Sequence, residues 1–212
     1  MSAADRHTAY PFQLVLASAS PRRKEILAAA GIACQVMPSS AEERQGEHET
    51  AEEFVCRVAW EKANDIFSRL PPEAPRAVLG ADTVVLIDSL VLGKPTSPED
   101  AARMLRILSG REHRVLTGVC LLYSPAGTLA GIKDTALAGT TVKFSTLTEQ
   151  QIADYIASGE PFDKAGAYAI QGLASKFVER IEGCYFNVMG LPVSLVYQML
   201  QRRAYAILAP EK

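Results

Sequence analysis

Two arginines lie at a predicted helix start, a position where acidic residues are usual. Residues 18–23 have the sequence SASPRR and follow a short apolar run that predicts a buried strand. In the helix that follows, we expect Ser20 as the N-cap and Pro21 at the first position. A helix start is positive and has unpaired N–H groups, so Arg22 and Arg23 are unfavourable there unless an anion faces them. The pattern predicts a phosphate site, with a solvated basic turn as the alternative.

Two further charged residues interrupt apolar patterns. Lys62 falls on the apolar stripe of a helix that begins with the capping box Thr50–Glu53 and ends near Arg69. Its ammonium either extends past the core to solvent or points into a cleft. Asp82 lies in the apolar predicted strand 77–87, where a carboxylate is costly unless it is paired, metal-bound or at an open cleft. We expect Asp82 to be a metal ligand or general base, with a bond to a backbone turn as the alternative.

The remaining candidates suit chemistry on a polyphosphate. Lys94 precedes Pro95, which stands where a Walker loop needs Ser or Thr, and the sequence has no G-x-G-x-x-G, G-x-S-x-G, S-x-x-K or H-E-x-x-H pattern. Carboxylates are available at Glu42 and Glu43 besides Asp82. Cations neutralise phosphates, carboxylates hold Mg²⁺ or a similar hard ion, and one acid polarises water.

Histidine and cysteine chemistry is not expected. The histidines are His7, His48 and His113, and we expect His113 to lie on the surface because arginine and glutamate flank it. The four cysteines form no C-x-x-C pair and no zinc-ribbon spacing, and the N-terminus has no signal pattern. These features favour a reduced, cytoplasmic protein.

The composition is that of an ordinary globular protein. Of 212 residues, 48% are hydrophobic and 22% are charged, with a formal net charge of -2. These values exclude a disordered or fibrous chain and argue against strong nucleic-acid binding, which needs excess positive charge. Two uncharged stretches, 115–132 and 183–201, approach the ~20 residues of a membrane helix, but turn residues interrupt both. We therefore expect no membrane span.

Predicted strands and helices alternate along the chain, which indicates the α/β class. Further helices are predicted from the Ser97 cap to Gly110, from a capping box at 148–151 to Gly159, and over 191–208. Strands are predicted over 34–37, 114–123 and 128–144. Residues 160–172 fit no regular element, and such polar segments in a regular chain are where function is expected.

These residues together resemble the Maf proteins, which are nucleoside triphosphate pyrophosphatases. The matching segments lie in the family's order between about residues 14 and 200. They are LASASPRR at 16–23, EKA at 61–63, GADTVV at 80–85, LGKP at 92–95, LSG at 108–110, TGV at 117–119, DKAGAY at 163–168, IQG at 170–172 and NVMGLP at 187–192.

The resemblance implies an α/β fold with an elongated mixed sheet, flanking helices and two lobes around a central cleft, as in Maf and ITPase proteins. It implies one domain over residues 12–208 after an N-terminal tail of residues 1–11. It also implies hydrolysis of a nucleoside triphosphate to the monophosphate and pyrophosphate with a divalent cation, Mg²⁺ or Mn²⁺. A homodimer is a further expectation from related proteins.

The resemblance also implies roles for particular residues. Asp82 matches the acid that accepts a proton from the attacking water and binds metal, and Glu43 falls near an acidic position that assists metal or water. The positions that line the phosphate-binding cleft match Ser18, Arg22, Arg23, Lys62 and Lys94.

Three positions separate the branches of this family, and they match Arg22, Thr83 and Gln171. The arginine and the glutamine resemble the branch that acts on dTTP and UTP. A glutamine amide can accept from N3–H of uracil or thymine and donate to O4, whereas an ionised glutamate can only accept.

Two other functions stay open at this point. The family is also associated with inhibition of septum formation, so the protein could be a nucleotide- or nucleic-acid-binding regulator of cell division, with the basic run at 22–24 as its contact. Alternatively, it could remove modified nucleotides, with dTTP only a convenient substrate.

Overall fold

A mixed sheet runs through the molecule, and helices pack on both of its faces. The computed structural model describes residues 10–127 and 131–208. The strands are β1 (Gln13–Leu16), β2 (Gln35–Val36), β3 (Arg76–Ile87), β4 (Leu90–Leu92), β5 (Glu112–Ser124), β6 (Ile132–Phe144) and β7 (Val178–Glu182). The helices are α1 (Pro21–Ala29), α2 (Ala51–Phe67), α3 (Pro98–Leu108), α4 (Glu149–Ala157), α5 (Tyr185–Val188) and α6 (Val193–Leu208).

The seven strands of the described sheet have the order β2-β1-β3-β5-β6-β7, with β4 paired to β3. β1 is parallel to β2 and β3, and the pairs from β3 onward are antiparallel. The expected α/β class with an elongated mixed sheet is confirmed. Most predicted bounds differ from the observed ones by one or two residues, and the predicted start of β6 at 128–130 lies outside the described residues.

Helix starts follow the predicted capping patterns, with one difference. Both capping boxes, at Thr50 and at Thr148, have the expected reciprocal hydrogen bonds. Ser20 is the N-cap of α1, but its side chain makes no capping bond. The hydroxyl of Ser18 instead accepts from the Ser20 N–H at 3.2 Å, so it organises the turn before the helix.

Two glycines let α2 approach the sheet closely. A Cβ at Gly80 would lie 2.0 Å from the carbonyl oxygen of Ala59, and one at Gly118 would lie 2.2 Å from that of Val55. Both distances are shorter than van der Waals contact, so any larger residue would displace the helix. The close approach places Lys62 of α2 over the middle of β3.

The long strand β3 connects two hydrophobic cores. Ala77 and Leu79 pack in a core with α1 and α6, whereas Val85 and Ile87 pack in a core with α3 and α4. Asp82 lies between these two sets of residues along the strand and is itself buried. The expectation of two lobes around a central cleft is confirmed, and it explains how an acid occurs in an apolar strand.

Residues 160–172, which the sequence leaves unassigned, form short 3-10 turns at Glu160–Asp163 and Ala165–Ala167. Gly166 has a φ of 67° and its N–H donates to the carbonyl of Gly93 at 3.0 Å, which ties this segment to the loop before Lys94. Among the helices described, none is long and apolar enough to cross a membrane.

The expectation that His113 lies on the surface is wrong. Successive side chains of a strand point to opposite faces, so Glu112 and Arg114 are exposed while His113 is buried. Its Nε2 hydrogen-bonds with the Tyr168 hydroxyl at 2.8 Å, and its ring lies edge-on to Phe144. Burial lowers the pKa of His113 to about 4, so this histidine is neutral at physiological pH.

Candidate active site

A cleft with a volume of about 500 Å³ surrounds Asp82. The residues to which the family resemblance assigns a role all line it: Ser18, Arg22, Arg23, Glu43, Lys62, Asp82, Thr83, Lys94 and Gln171. The other candidate carboxylate, Glu42, is not among the lining residues. They come from helices α1 and α2, strand β3 and four loops. Tertiary structure therefore brings together residues that are far apart in the sequence.

Lys62 connects the two candidate acids. Its side chain is only 8% exposed, and its Nζ lies 2.7 Å from Asp82 Oδ1 and 2.6 Å from Glu43 Oε1. Lys62 therefore points into the cleft, and the alternative in which it extends past the core to solvent is wrong. An ammonium with two carboxylate partners at these distances forms short, charge-assisted hydrogen bonds.

The two acids have opposite pKa shifts. Burial raises the pKa of Asp82, although Lys62 and Arg23 partly oppose this. Burial acts in the same direction on Glu43, but Lys62, Lys94 and Arg23 outweigh it and lower the pKa of Glu43. The half-exposed Glu43 is thus held as a carboxylate. Of the two acids, Asp82 is the one that accepts a proton more readily.

Arg23 is buried, and neutral oxygens accept its hydrogen bonds. Nε donates to the carbonyl of Gly190 at 2.8 Å, Nη1 to Ser18 Oγ at 3.1 Å and Nη2 to Thr83 Oγ1 at 3.1 Å. Burial lowers the pKa of Arg23, with Asp82 opposing. A guanidinium has five N–H groups, so these three bonds leave two that can donate into the cleft. Arg23 therefore joins α1 to β3 and also lines the cleft wall.

Arg22 pairs with a residue that sequence reasoning did not include in the site. Its Nη1 lies 2.9 Å from Asp163 Oδ2, and its Nη2 donates to the Asp163 carbonyl at 3.3 Å. Lys164 also pairs with Asp163. Burial alone would raise the pKa of Asp163, but Lys164 and Arg22 together lower it. The irregular pattern of 160–172 points to this segment, yet no local signal pairs it with α1.

Of the remaining predicted residues, Lys94 and Gln171 are exposed, whereas Thr83 is part of the cleft wall. The Lys94 side chain is 60% exposed, with its Nζ 3.8 Å from Glu43 Oε2. Gln171 is exposed, and its amide has no hydrogen-bond partner among residues 10–127 and 131–208. Thr83 Oγ1 is 2.9 Å from Thr117 Oγ1 and accepts from Arg23, so its hydroxyl is part of the cleft wall.

The cleft has the charge expected for an anion site. Five cationic and three acidic side chains line it, namely Arg22, Arg23, Lys62, Lys94 and Lys164 with Glu43, Asp82 and Asp163. The excess of two positive charges contrasts with the negative net charge of the whole chain. A concave surface of this sign attracts a polyphosphate.

The donor set fits a divalent cation only in part. Within the described residues, no group of three or more His, Cys, Asp and Glu side chains could hold a metal. Asp82 and Glu43 nevertheless present hard carboxylate oxygens around the same ammonium. Two carboxylates suit Mg²⁺ or Mn²⁺ when phosphate oxygens and waters complete the coordination.

The chain belongs to a known family of proteins. The family model described as Maf-like protein matches residues 13–203. The resemblance to the Maf family is thereby confirmed.

Relatives with an assigned activity are similar over nearly their whole length. The dTTP/UTP pyrophosphatase of Geobacillus sp. (strain WCH70) is 48% identical over 90% of this chain and 97% of its own. The dTTP/UTP pyrophosphatase of Koribacter versatilis is 46% identical over 89% of this chain and 93% of its own. That of Thermococcus gammatolerans is 48% identical, with 88% and 94% covered.

Proposed function

We propose that this protein hydrolyses nucleoside triphosphates, dTTP and UTP foremost, to the monophosphate and pyrophosphate. The observation that carries the proposal is the contact of Lys62 with Asp82 and Glu43 in a cleft of excess positive charge. The names of relatives at 46% to 48% identity support the same activity. The second hypothesis, a regulator that binds nucleotides or nucleic acid, is not favoured.

In this proposal the cations bind the triphosphate and orient it. Lys94 is free to move because it is largely exposed, and its weak contact with Glu43 is easily exchanged for a phosphate oxygen. Arg22 donates to Asp163 through Nη1 and Nη2, and its remaining N–H groups can donate to a phosphate oxygen. Arg23 contributes the two N–H groups that its protein partners leave available.

Asp82 is the residue proposed to accept the proton from the attacking water. Its raised pKa, caused by burial, brings a carboxylate closer to the range useful for a general base. Lys62 donates to Asp82 Oδ1 at 2.7 Å, and Oδ2 is the oxygen proposed to accept the proton. A divalent cation held by Asp82 and Glu43 would supply charge for the phosphate oxygens and for the attacking water. Water attacks the α-phosphorus, and pyrophosphate leaves with the cations around it.

Gln171 is proposed to read the base. Its exposed amide lines the cleft and can accept from N3–H and donate to O4 of thymine or uracil. Asp82 is the catalytic residue in this proposal, and Ser18 and Thr83 fix Arg23 in place. The metal requirement, the cytoplasmic location, the homodimer and the single domain over 12–208 stay predictions.

Pyrophosphate release from a panel of triphosphates, with and without Mg²⁺ or Mn²⁺, tests the proposal. We expect dTTP and UTP to be the best substrates and metal to be required. Asp82→Asn keeps the size of the side chain and should lower kcat by roughly 10³-fold or more, because the amide cannot accept a proton. The matched variant Asp134→Asn, at an acid outside the cleft, should have the wild-type kcat.

Gln171→Glu should lower kcat/KM for dTTP relative to GTP by roughly 10-fold or more, because an ionised carboxylate cannot donate to O4. Wild-type turnover in Asp82→Asn would refute the catalytic assignment. An unchanged substrate preference in Gln171→Glu would mean that the base is read elsewhere.

A further inference from the structure

The segment that carries Glu43 lacks the usual means of fixing a side chain. Residues 37–50, between β2 and α2, contain no helix or strand, and not one of their side chains is buried. Segments with few buried apolar contacts open easily. Met37, at the start of the segment, packs partly buried against a core cluster, but from residue 38 onward the attachments that the structure shows are polar.

Arg57, on α2, binds the backbone of the residue that follows Glu43. Its Nη2 donates to the backbone carbonyl of Arg44 at 2.9 Å, directly after Glu43. Its Nε and Nη2 also bind both carboxylate oxygens of Glu49, at 2.6 and 2.8 Å. Glu49 in turn accepts from the Gly46 N–H at 3.0 Å, so the turn 46–49 is fixed to the same guanidinium.

Arg57 is itself fixed on α2. Its Nη1 donates to both carboxylate oxygens of Glu61, one helical turn away, at 3.0 and 2.9 Å. Hydrogen bonds with Glu49 and Glu61 raise the pKa of Arg57 above its already high usual value. One planar guanidinium thus joins the helix to two points of the segment, which an ammonium with three rotatable donors cannot reproduce.

A second attachment holds the other end of the segment. Asp65, also on α2, accepts from Ser39 Oγ at 2.8 Å and from the Ser40 N–H at 2.9 Å. Glu43 lies between the two attachments, and α2 carries Arg57, Lys62 and Asp65 along the side that faces the segment. A single helix therefore determines where this carboxylate lies.

We propose that Arg57 is a positioning residue that holds Glu43 against Lys62 through the carbonyl of Arg44. This inference rests on the role of Glu43 in the proposed function. Arg57 is not among the residues that line the cleft around Asp82, so in this proposal it does not touch the nucleotide. Its effect reaches the reaction only through the geometry of Glu43.

The first test compares Arg57→Lys with a matched control, Arg106→Lys. Arg106 on α3 also binds a glutamate with two donors, at 2.9 and 2.7 Å from Glu149, but far from the cleft lining. Amide hydrogen exchange is expected to accelerate within 38–50 in Arg57→Lys, with the sheet unchanged, and to stay at wild-type rates there in Arg106→Lys. Glu49→Gln removes the negative charge and one of the two oxygens that accept from Arg57, and it should reproduce the Arg57→Lys pattern.

The second test is a double-mutant cycle with Glu43→Gln. Loss of a supporting contact of this kind typically costs 10- to 100-fold, so kcat for dTTP in Arg57→Lys should fall by about that factor, with KM nearly unchanged. If Arg57 acts through Glu43, adding Arg57→Lys to Glu43→Gln lowers kcat by less than about 2-fold. A purely structural role would give the same fall in both backgrounds.

Either of two results overturns the inference: wild-type exchange rates within 38–50 in Arg57→Lys, or equal falls in kcat on both sides of the cycle. Absence of pyrophosphate release from the wild-type protein would instead refute the proposed function. The exchange experiment would still decide whether Arg57 holds the segment.

Discussion

The buried floor and the exposed rim of the cleft each contain an arginine and a lysine, but these residues differ in how they are held. The cleft floor consists of Arg23, Lys62 and Asp82, all buried and bonded to one another or to the walls. The cleft rim consists of Arg22, Lys94 and Gln171, which are at least partly exposed. The floor is fixed before any ligand binds, whereas Arg22 and Lys94 can exchange their partners and the Gln171 amide has none among the described residues to give up.

This difference follows from the cost of burying charge. A buried ammonium or carboxylate must have its partner in the folded protein. The charges of the cleft floor are therefore paired with one another or bonded to the walls before substrate binds. Charges in contact with water have no such requirement, because solvent screens them. Groups held in place beforehand need no reorganisation during the reaction, which suits the floor to catalysis and the rim to binding.

The largest expected effect on stability and activity comes from removing a charge from the cleft floor. Lys62→Met removes the ammonium and leaves Asp82 buried without its partner, which generally costs about 3–5 kcal/mol of stability. We expect kcat to fall by roughly 10³-fold, because the acid loses its orientation. Urea unfolding and pyrophosphate release measure the two effects.

A second substitution separates the two effects of Lys62→Met. In Lys62→Met with Asp82→Asn, the buried group is neutral, so the free energy of unfolding should recover while activity stays lost. If the double variant is as unstable as Lys62→Met alone, the loss does not come from an unpaired carboxylate.

The next prediction compares the two neighbouring arginines directly. Arg23→Lys cannot reach Ser18, Thr83 and the Gly190 carbonyl at once, so buried acceptors lose their donor at a cost of about 1–3 kcal/mol. Arg22→Lys disturbs an ion pair with a largely exposed partner and should change stability by less than about 0.5 kcal/mol.

We expect Arg22→Lys to raise KM for dTTP by roughly 10-fold and to leave kcat nearly unchanged, since it acts on binding alone. Steady-state kinetics and thermal unfolding of both variants check this. Equal stability losses in the two variants would contradict the division into floor and rim.

The smallest expected effect on activity lies behind the cleft, at His113. Its pKa of about 4 in the folded protein lies below the usual 6.5, so between these values the unfolded chain binds a proton that the folded protein does not. The free energy of unfolding should therefore decrease as the pH falls from 6.5 to 4, by up to about 3 kcal/mol.

His113→Gln cannot titrate, and its unfolding free energy should lack this part of the pH dependence. The matched variant His48→Gln, at an exposed position, should keep the wild-type dependence. Identical pH profiles for all three proteins would show that His113 is not the group responsible.

Local patterns predicted most elements and most residues of the cleft, but not β4, β7 or α5. Capping boxes at Thr50 and Thr148, and the apolar run around Asp82, have local causes, so the sequence alone indicates them. The resemblance to Maf proteins then identified nine lining residues, every one of which lines the cleft.

Contacts between distant segments could not be predicted in this way. Arg22 and Asp163 are 141 residues apart, and no pattern near either one indicates the other. His113 has charged neighbours that suggest exposure, but the pairing of β5 turns it inward against Tyr168. The attachment of 37–50 to Arg57 likewise depends on how the segment crosses α2.

The sequence by itself determined the α/β class, the helix starts, the family and the list of chemically capable residues, because these depend on composition and short-range order. Only the tertiary structure decided that Lys62 joins Asp82 to Glu43, and that Arg23 bonds to the walls while Arg22 bonds to Asp163. It also decided that Arg57 bonds to the Arg44 carbonyl and to Glu49. The physical reason is that a charge takes its partner from whatever packing brings within hydrogen-bond distance, and packing is a property of the complete chain.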